Sequence, residues 1–275
     1  MAGLRDKLWL WGTGVNCLAK DYGFPESRMT IGGGLRELGI DQAMMCGFIP
    51  PTEEEYRDVA FCRNLLWEMS FDDGFQFERP LAPIIALHEA HPNVRGVLLD
   101  DFSTTEISKG AQPDLLARMR EALPPGMQLW IVTYSMSLDI PNLAEYLRYA
   151  DGISFWVWHA RQLPNLAEYV ARSNDLCGNK PTVVGLYFHD FGENRALSAG
   201  EMAAQVESGV RLQEDGACEG LCFLSSSIMD IGQSSGPLVT GLVITVAGYA
   251  TGFLAGCILS LVITGIFILS AREMH

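Results

Sequence analysis

Eight short apolar runs recur through this chain at near-regular intervals, and they constrain its fold more than anything else in it. They are Lys7–Gly12 (KLWLWG), Asp41–Phe48, Leu65–Phe71, Val94–Phe102, Gln128–Tyr134, Gly152–Trp158, Thr182–Phe188 and Gly220–Ser225. Each is too short for a buried helix, and most are apolar at odd and even positions alike. Such runs suit strands covered on both faces, as in parallel sheets. The stretches between them read as helices: Arg28–Leu38, Thr52–Asn64, Phe77–His91, Asp114–Leu123, Asn142–Ala150, Leu163–Leu176 and Ser198–Asp215. Thr52 and Glu55 stand at capping-box spacing, and Pro124 with Pro125 stops the helix before them. Eight strand–helix units in this length predict a (β/α)8 barrel of the TIM type, whose usual size is about 250 residues. The competing architecture, a doubly wound open sheet, lacks its GxGxxG turn after the first run.

The last unit departs from the pattern. An amphipathic helix is expected after the eighth run, but from Ile231 to Ala271 no side chain is charged. About 20 apolar residues span a bilayer core as a helix, and Pro237–Leu269 exceeds that. A core helix can also be apolar all round, but so long a run lacks the polar stripe that would face water. The expectation is therefore a barrel head over residues 1–232, a linker at 233–236, a C-terminal transmembrane helix at 237–270 replacing the usual last helix, and a polar end at 271–275. The barrel is then either completed by the first turns of the tail or left incompletely closed. Gly248, Gly252, Gly256, Ser260 and Thr264 recur every fourth residue, a small-residue ridge that suits homodimer formation between membrane helices.

Charge and cysteines place the head. Acidic residues outnumber basic ones 33 to 19, a formal charge of −14, and none of that excess comes from the tail. Nucleic acid is not an expected partner of such a surface, and the tail would hold lipid by apolar burial alone. The seven cysteines include no CxxC pair and sit mostly among apolar neighbours, the pattern of reduced, buried thiols. The N-terminus has too short an apolar core for a secretory signal. A single-pass membrane protein with a cytoplasmic head is the expectation, although Arg272, the one basic residue near the tail, points weakly the other way.

In a (β/α)8 barrel the chemistry gathers where strands end. That rule nominates Trp11 and Asn16 after the first strand, and Glu68, Asp72 and Asp73 after the third. It nominates Asp100, Asp101 and Glu106 after the fourth, Tyr134 after the fifth, and Trp156, Trp158 and His159 after the sixth. His189 and Asp190 follow the seventh, and Ser225–Ser227 with Asp230 the eighth. Carboxylates flanked by flat aromatic rings are what glycoside hydrolysis requires, one as acid and one as nucleophile or base. Asp101 and Asp190 form the first pair, with Asp100, Asp72 and Glu68 as further catalytic candidates. Trp11, Asn16, Tyr134, Trp156, Trp158 and His189 are the substrate-binding candidates. Any one of these aspartates can instead be the N-cap of the next helix. By strand alternation, one of Asp100 and Asp101 should face the barrel axis and the other the helix layer. His88, Glu89 and His91 end a helix and suit its free carbonyls better than a metal. No metal or other cofactor is expected, and no GxSxG elbow marks a serine hydrolase.

Four segments, VLLDDF (97–102), FWVWHARQLPNL (155–166), GLYFHDFG (185–192) and FLSSSIMDIG (223–232), together resemble a family of bacterial (β/α)8-barrel proteins described as glycosidase-like. The resemblance spans Lys7 to Gly232. Its recurring features fall here on Asp100, Asp101, Trp156, Trp158, Asp190 and Asp230, and it implies the barrel without specifying a reaction. The chain departs from that family in its apolar tail. The expected function is thus a membrane-anchored barrel that hydrolyses or binds a carbohydrate or glycoconjugate. A non-catalytic sugar-binding module and a self-associating membrane scaffold are the alternatives.

Overall fold

The computed structural model describes residues 2–15 and 29–224, all within one compact unit. The apolar tail with its small-residue ridge, Asn16, Ser225–Ser227 and Asp230 lie outside the described residues. No helix among the described residues is long and apolar enough to cross a membrane.

All eight expected strands form. They are β1 (Leu8–Thr13), β2 (Gln42–Cys46), β3 (Asn64–Glu68), β4 (Val94–Leu99), β5 (Gln128–Tyr134), β6 (Gly152–Trp156), β7 (Thr182–Tyr187) and β10 (Gly220–Leu224). Between the last two lies a small antiparallel ribbon of β8 (His189–Asp190) and β9 (Arg195–Ala196). The eight long strands are parallel and run β1-β10-β7-β6-β5-β4-β3-β2 around a closed barrel. The expectation that closure needs the tail is corrected. β1 pairs directly with β10, from Leu8↔Leu221 to Trp11↔Leu224, so the backbone of the described residues closes the ring and removes both sheet edges. Closure also excludes the open doubly wound sheet.

Helix limits are tighter than the sequence pattern suggests. The Thr52 capping box is present, with Glu55 N–H donating to Thr52 Oγ1 and Thr52 N–H to Glu55 Oε2. That helix ends at Val59 instead of Asn64, because Cys62 N–H turns back to the Val59 carbonyl and the chain then enters β3. A second capping box, Ser198 with Glu201, starts the helix Ala199–Glu214. His88 Nδ1 meets the Val94 carbonyl at 2.6 Å, and His91 stacks on Tyr56, so both histidines are absorbed into packing.

Because nearly every strand residue is apolar, alternation in the sequence could not tell inside from outside. The barrel interior takes Trp9, Trp11, Trp130 and Trp156, packed with Met44, Leu66, Leu98, Val132, Val183 and Cys222. Leu8 and Leu10, of opposite parity on β1, are buried outside this cluster, on the helix side. Four indoles fit one barrel only if neighbouring strands give way, and glycines supply the room. A Cβ on Gly152 would lie 2.5 Å from the Trp130 ring, and one on Gly185 would clash with the Trp156 ring. The Trp156 indole N–H is satisfied by Ser154 Oγ at 2.8 Å, inside the same interior.

This packing makes a direct prediction. Gly185→Ala overpacks the interior and should lower stability by about 1–3 kcal/mol. Gly200→Ala, on a helix with open space around the site, should be neutral or slightly stabilising. Thermal unfolding followed by tryptophan fluorescence distinguishes the two, and equal midpoints for both variants would show that the indole does not need that space.

Candidate active site

Since the eight strands are parallel, their C-terminal ends share one rim. A cavity of about 280 Å³ opens there. Glu68 from β3, Asp100 and Asp101 beyond β4, and Tyr134 from β5 line one side. Trp156, Trp158, Tyr187 and Phe191 line another, with Trp11, Thr13, Cys46, Gly47 and Leu224 completing the wall.

The doubled aspartate owes its geometry to a backbone turn. β4 ends at Leu99, and Asp101 adopts the left-handed region (φ 51°, ψ 12°) before a tight helical turn over Phe102–Glu106. A non-glycine residue there is strained by about 1–3 kcal/mol, and such strain gathers at functional sites. Alternation therefore stops before the pair. The expectation that one aspartate faces the helix layer is corrected: both line the cavity. The Asp101 N–H donates to Asp100 Oδ1 at 2.9 Å, and the Asp101 carbonyl accepts the Thr104 and Thr105 N–H groups.

Tyr134 ties the carboxyls together. Its hydroxyl lies 2.6 Å from Asp101 Oδ1 and 3.5 Å from Asp100 Oδ1. One phenolic proton cannot serve both, so the short contact takes it. The tyrosine is buried and stands edge-on to Trp158, with ring centres 5.5 Å apart. Burial, together with the negative charge of Asp100, raises its pKa well above that of a free phenol, so it remains a proton donor at neutral pH.

Asp100 and Glu68 are perturbed in one direction. Desolvation, then the nearby charges of Asp101 and Glu68, push Asp100 well above the usual carboxylate range. Glu68 is raised by burial and by Asp101, against the Gly47 N–H that donates to its Oε2. The indole wall beneath them explains the desolvation, because it leaves little water to solvate a charge. A carboxyl whose pKa is raised, beside a second one, is the usual preparation for acid catalysis.

The remaining candidates are placed elsewhere. Asp190 does not line the cavity, and its pairing with Asp101 gives way to the Glu68–Asp100–Asp101 group. Its Oδ1 accepts the N–H groups of Gly192 and Glu193 at 3.1 and 3.2 Å, and Arg195 stands 3.5 Å from Oδ2 without hydrogen-bond geometry. The residue braces the ribbon loop. Asp72 is held by both nitrogens of an Arg79 fork, at 2.8 and 2.7 Å, which lowers its pKa. Glu106 pairs with Lys109. His189 Nε2 meets Asn194 Oδ1 at 3.0 Å, within the ribbon. Trp11, Tyr134, Trp156 and Trp158 do line the cavity, with Trp11 edge-on to Trp156 at 5.2 Å. Sequence reasoning passed over Tyr187 and Phe191. Tyr187 shares the parity of Val183 and Gly185 at the end of β7, a usable signal. Phe191 reaches the mouth only because the ribbon folds back, with its ring 4.9 Å from Tyr187 and 5.4 Å from Trp158.

No group of histidine, cysteine, aspartate or glutamate among the described residues is arranged to hold a metal ion. No family model and no curated protein matches the chain. Among solved structures, the fold is similar to the Bacillus cereus spore cortex-lytic enzyme SleL, with TM-score 0.55 and 10% identity over 79% of this chain and 70% of that one. It is also similar to the PgaB (BpsB) glycoside hydrolase domain from Bordetella bronchiseptica, with TM-score 0.51 and 10% identity over 84% of this chain and 97% of that one. The likeness is one of fold alone.

The raised Asp100 has a consequence for stability. A carboxyl that binds its proton more tightly when folded contributes stability that is complete below the unfolded pKa and is lost as pH rises through the folded one. Asp100→Asn should therefore raise the melting temperature above that of the unaltered protein at pH 8, and the gain should vanish near pH 3. A gain that is the same at both pH values would mean that Asp100 is not held protonated by the fold.

Proposed function

We propose that the protein is a membrane-anchored, glycoside-hydrolase-like barrel that cleaves a carbohydrate or glycoconjugate at this mouth. The single observation that carries the reading is the convergence of Glu68, Asp100 and Asp101 against an aromatic wall at the C-terminal rim. Asp100, its pKa raised by burial, is the acid and gives its proton to the glycosidic oxygen as the C1–O bond breaks. Asp101, exposed at the lip and held by the Tyr134 hydroxyl, is the second carboxyl, serving as nucleophile or as the base that activates water. Trp158 and Phe191, both partly exposed, offer their ring faces to the sugar. The glycoside hydrolase domain among the fold's neighbours supports the choice of chemistry by analogy.

Asp100→Asn and Asp101→Asn should each lower turnover of a scissile glycoside by about 10²–10⁴-fold with little change in affinity. The unaltered protein should lose activity as pH rises through the raised pKa of Asp100. Sugar binding without turnover in the unaltered protein would make this a binding module instead, and turnover unchanged in both variants would rule out these carboxyls as the catalytic pair.

The anchor is the uncharged span at 237–270, which suits lipid on every side. Gly248, Gly252, Gly256 and Ser260 give it a face for a second copy. The buried free cysteines Cys62, Cys177, Cys218 and Cys222 favour a reducing compartment, and so a cytoplasmic head. The full chain should stay in the membrane fraction through alkaline carbonate extraction. Release into the supernatant overturns the anchor.

A further inference from the structure

The mouth cavity has an unusual charge balance. Three carboxyl groups, Glu68, Asp100 and Asp101, line it, and among the described residues lining it there is no lysine, arginine or histidine. Buried or crowded charges in proteins are ordinarily paired. Among the described residues, cations on the surrounding loops are already engaged: Arg79 with Asp72, Lys109 with Glu106, Arg161 with Glu193, and Arg195 with Asp190 and Glu201. Nothing among the described residues is placed to receive a carboxylate, sulfate or phosphate on a substrate. The opposite wall is independent of the carboxyls and points the same way. Trp158, Tyr187 and Phe191 meet at centroid distances of 4.9–6.3 Å, and aromatic rings so grouped attract an ammonium group through their faces.

We infer that the sugar received here carries a positive charge: it is an amino sugar with a free ammonium group. This rests on the carbohydrate reading above and narrows it. Glu68 is the acceptor. Its Oε2 takes the Gly47 N–H and leaves Oε1 for the ammonium, one strand away from the Asp100–Asp101 pair that carries the chemistry. An ammonium placed there supplies the countercharge that the described lining residues do not, and it relieves the mutual repulsion of the carboxyls. An N-acetylated sugar loses that charge, and a uronic acid reverses it.

The test is calorimetric titration of the full-length chain, in a detergent without a sugar headgroup, with four β-1,4-linked tetrasaccharides. These are built from glucosamine, N-acetylglucosamine, glucose and glucuronic acid. The glucosamine tetramer should bind at least 10-fold more tightly than the other three, and that margin should shrink as salt screens the pair. In Glu68→Gln it should fall to the level of the glucose tetramer, with folding checked by the melting temperature. Equal or tighter binding of a neutral, acetylated or acidic tetramer overturns the inference and leaves the carbohydrate reading standing. A glucosamine margin that survives Glu68→Gln overturns the assignment to Glu68. Absence of binding and turnover with all four overturns the carbohydrate reading, and the inference with it.

Discussion

Everything at the mouth depends on the way the barrel interior is filled. Trp9, Trp11, Trp130 and Trp156 occupy the space enclosed by the strands, and Gly152 and Gly185 give up their side chains to admit two of those rings. Of these four, Trp11 and Trp156 also line the mouth cavity. A carboxyl resting above indole rings has few water molecules to stabilise its charge. That is why Asp100 and Glu68 are shifted upward together. Packing and acid–base chemistry meet at Trp11 and Trp156, which fill the barrel and wall the cavity beside the acid.

The same arrangement sets stability against reactivity. Asp101 sits in a strained left-handed turn, and Asp100 is charged only at a penalty. Both are tolerated because closure of the sheet and the buried interior hold the rim rigidly, and rigid scaffolds keep strained functional residues in place. Tyr134 moderates the conflict. Its hydroxyl satisfies Asp101 at 2.6 Å, so two adjacent aspartates can point into one cavity. The ribbon of β8 and β9 is a separate construction. Asp190, Arg195 and Glu201 brace it from outside the cavity, and its contribution to the mouth is the single ring of Phe191.

The likeness to other barrels belongs to the scaffold, and at 10% identity it ends there. Parallel closure is a general solution for eight strand–helix units, because it pairs every strand and leaves no edge. What distinguishes this chain is the chemistry it hangs on the rim: three carboxyls, an aromatic wall and no cation among the described lining residues.

Much of this could be read from the residues alone. The eight apolar runs announced the strands and their parallel sense, the Thr52–Glu55 spacing announced a capping box, and the strand-end rule put Glu68, Asp100, Asp101, Tyr134, Trp156 and Trp158 at one rim. These are local properties of the chain, and local pattern is sufficient for them. Which aspartates meet was decided in three dimensions. Asp190 and Asp101 are equivalent by position after a strand, yet one turns into a loop and the other, through a single left-handed residue, into the cavity. Strand alternation fails where the strand stops, so Phe191 and the doubled aspartate could be placed only by the turns that follow. The raised pKa of Asp100 comes first from burial at the rim, which only the fold supplies, and then from Asp101 beside it and Glu68 on the neighbouring strand. The residues determined the scaffold, and only their convergence at the rim decided the chemistry.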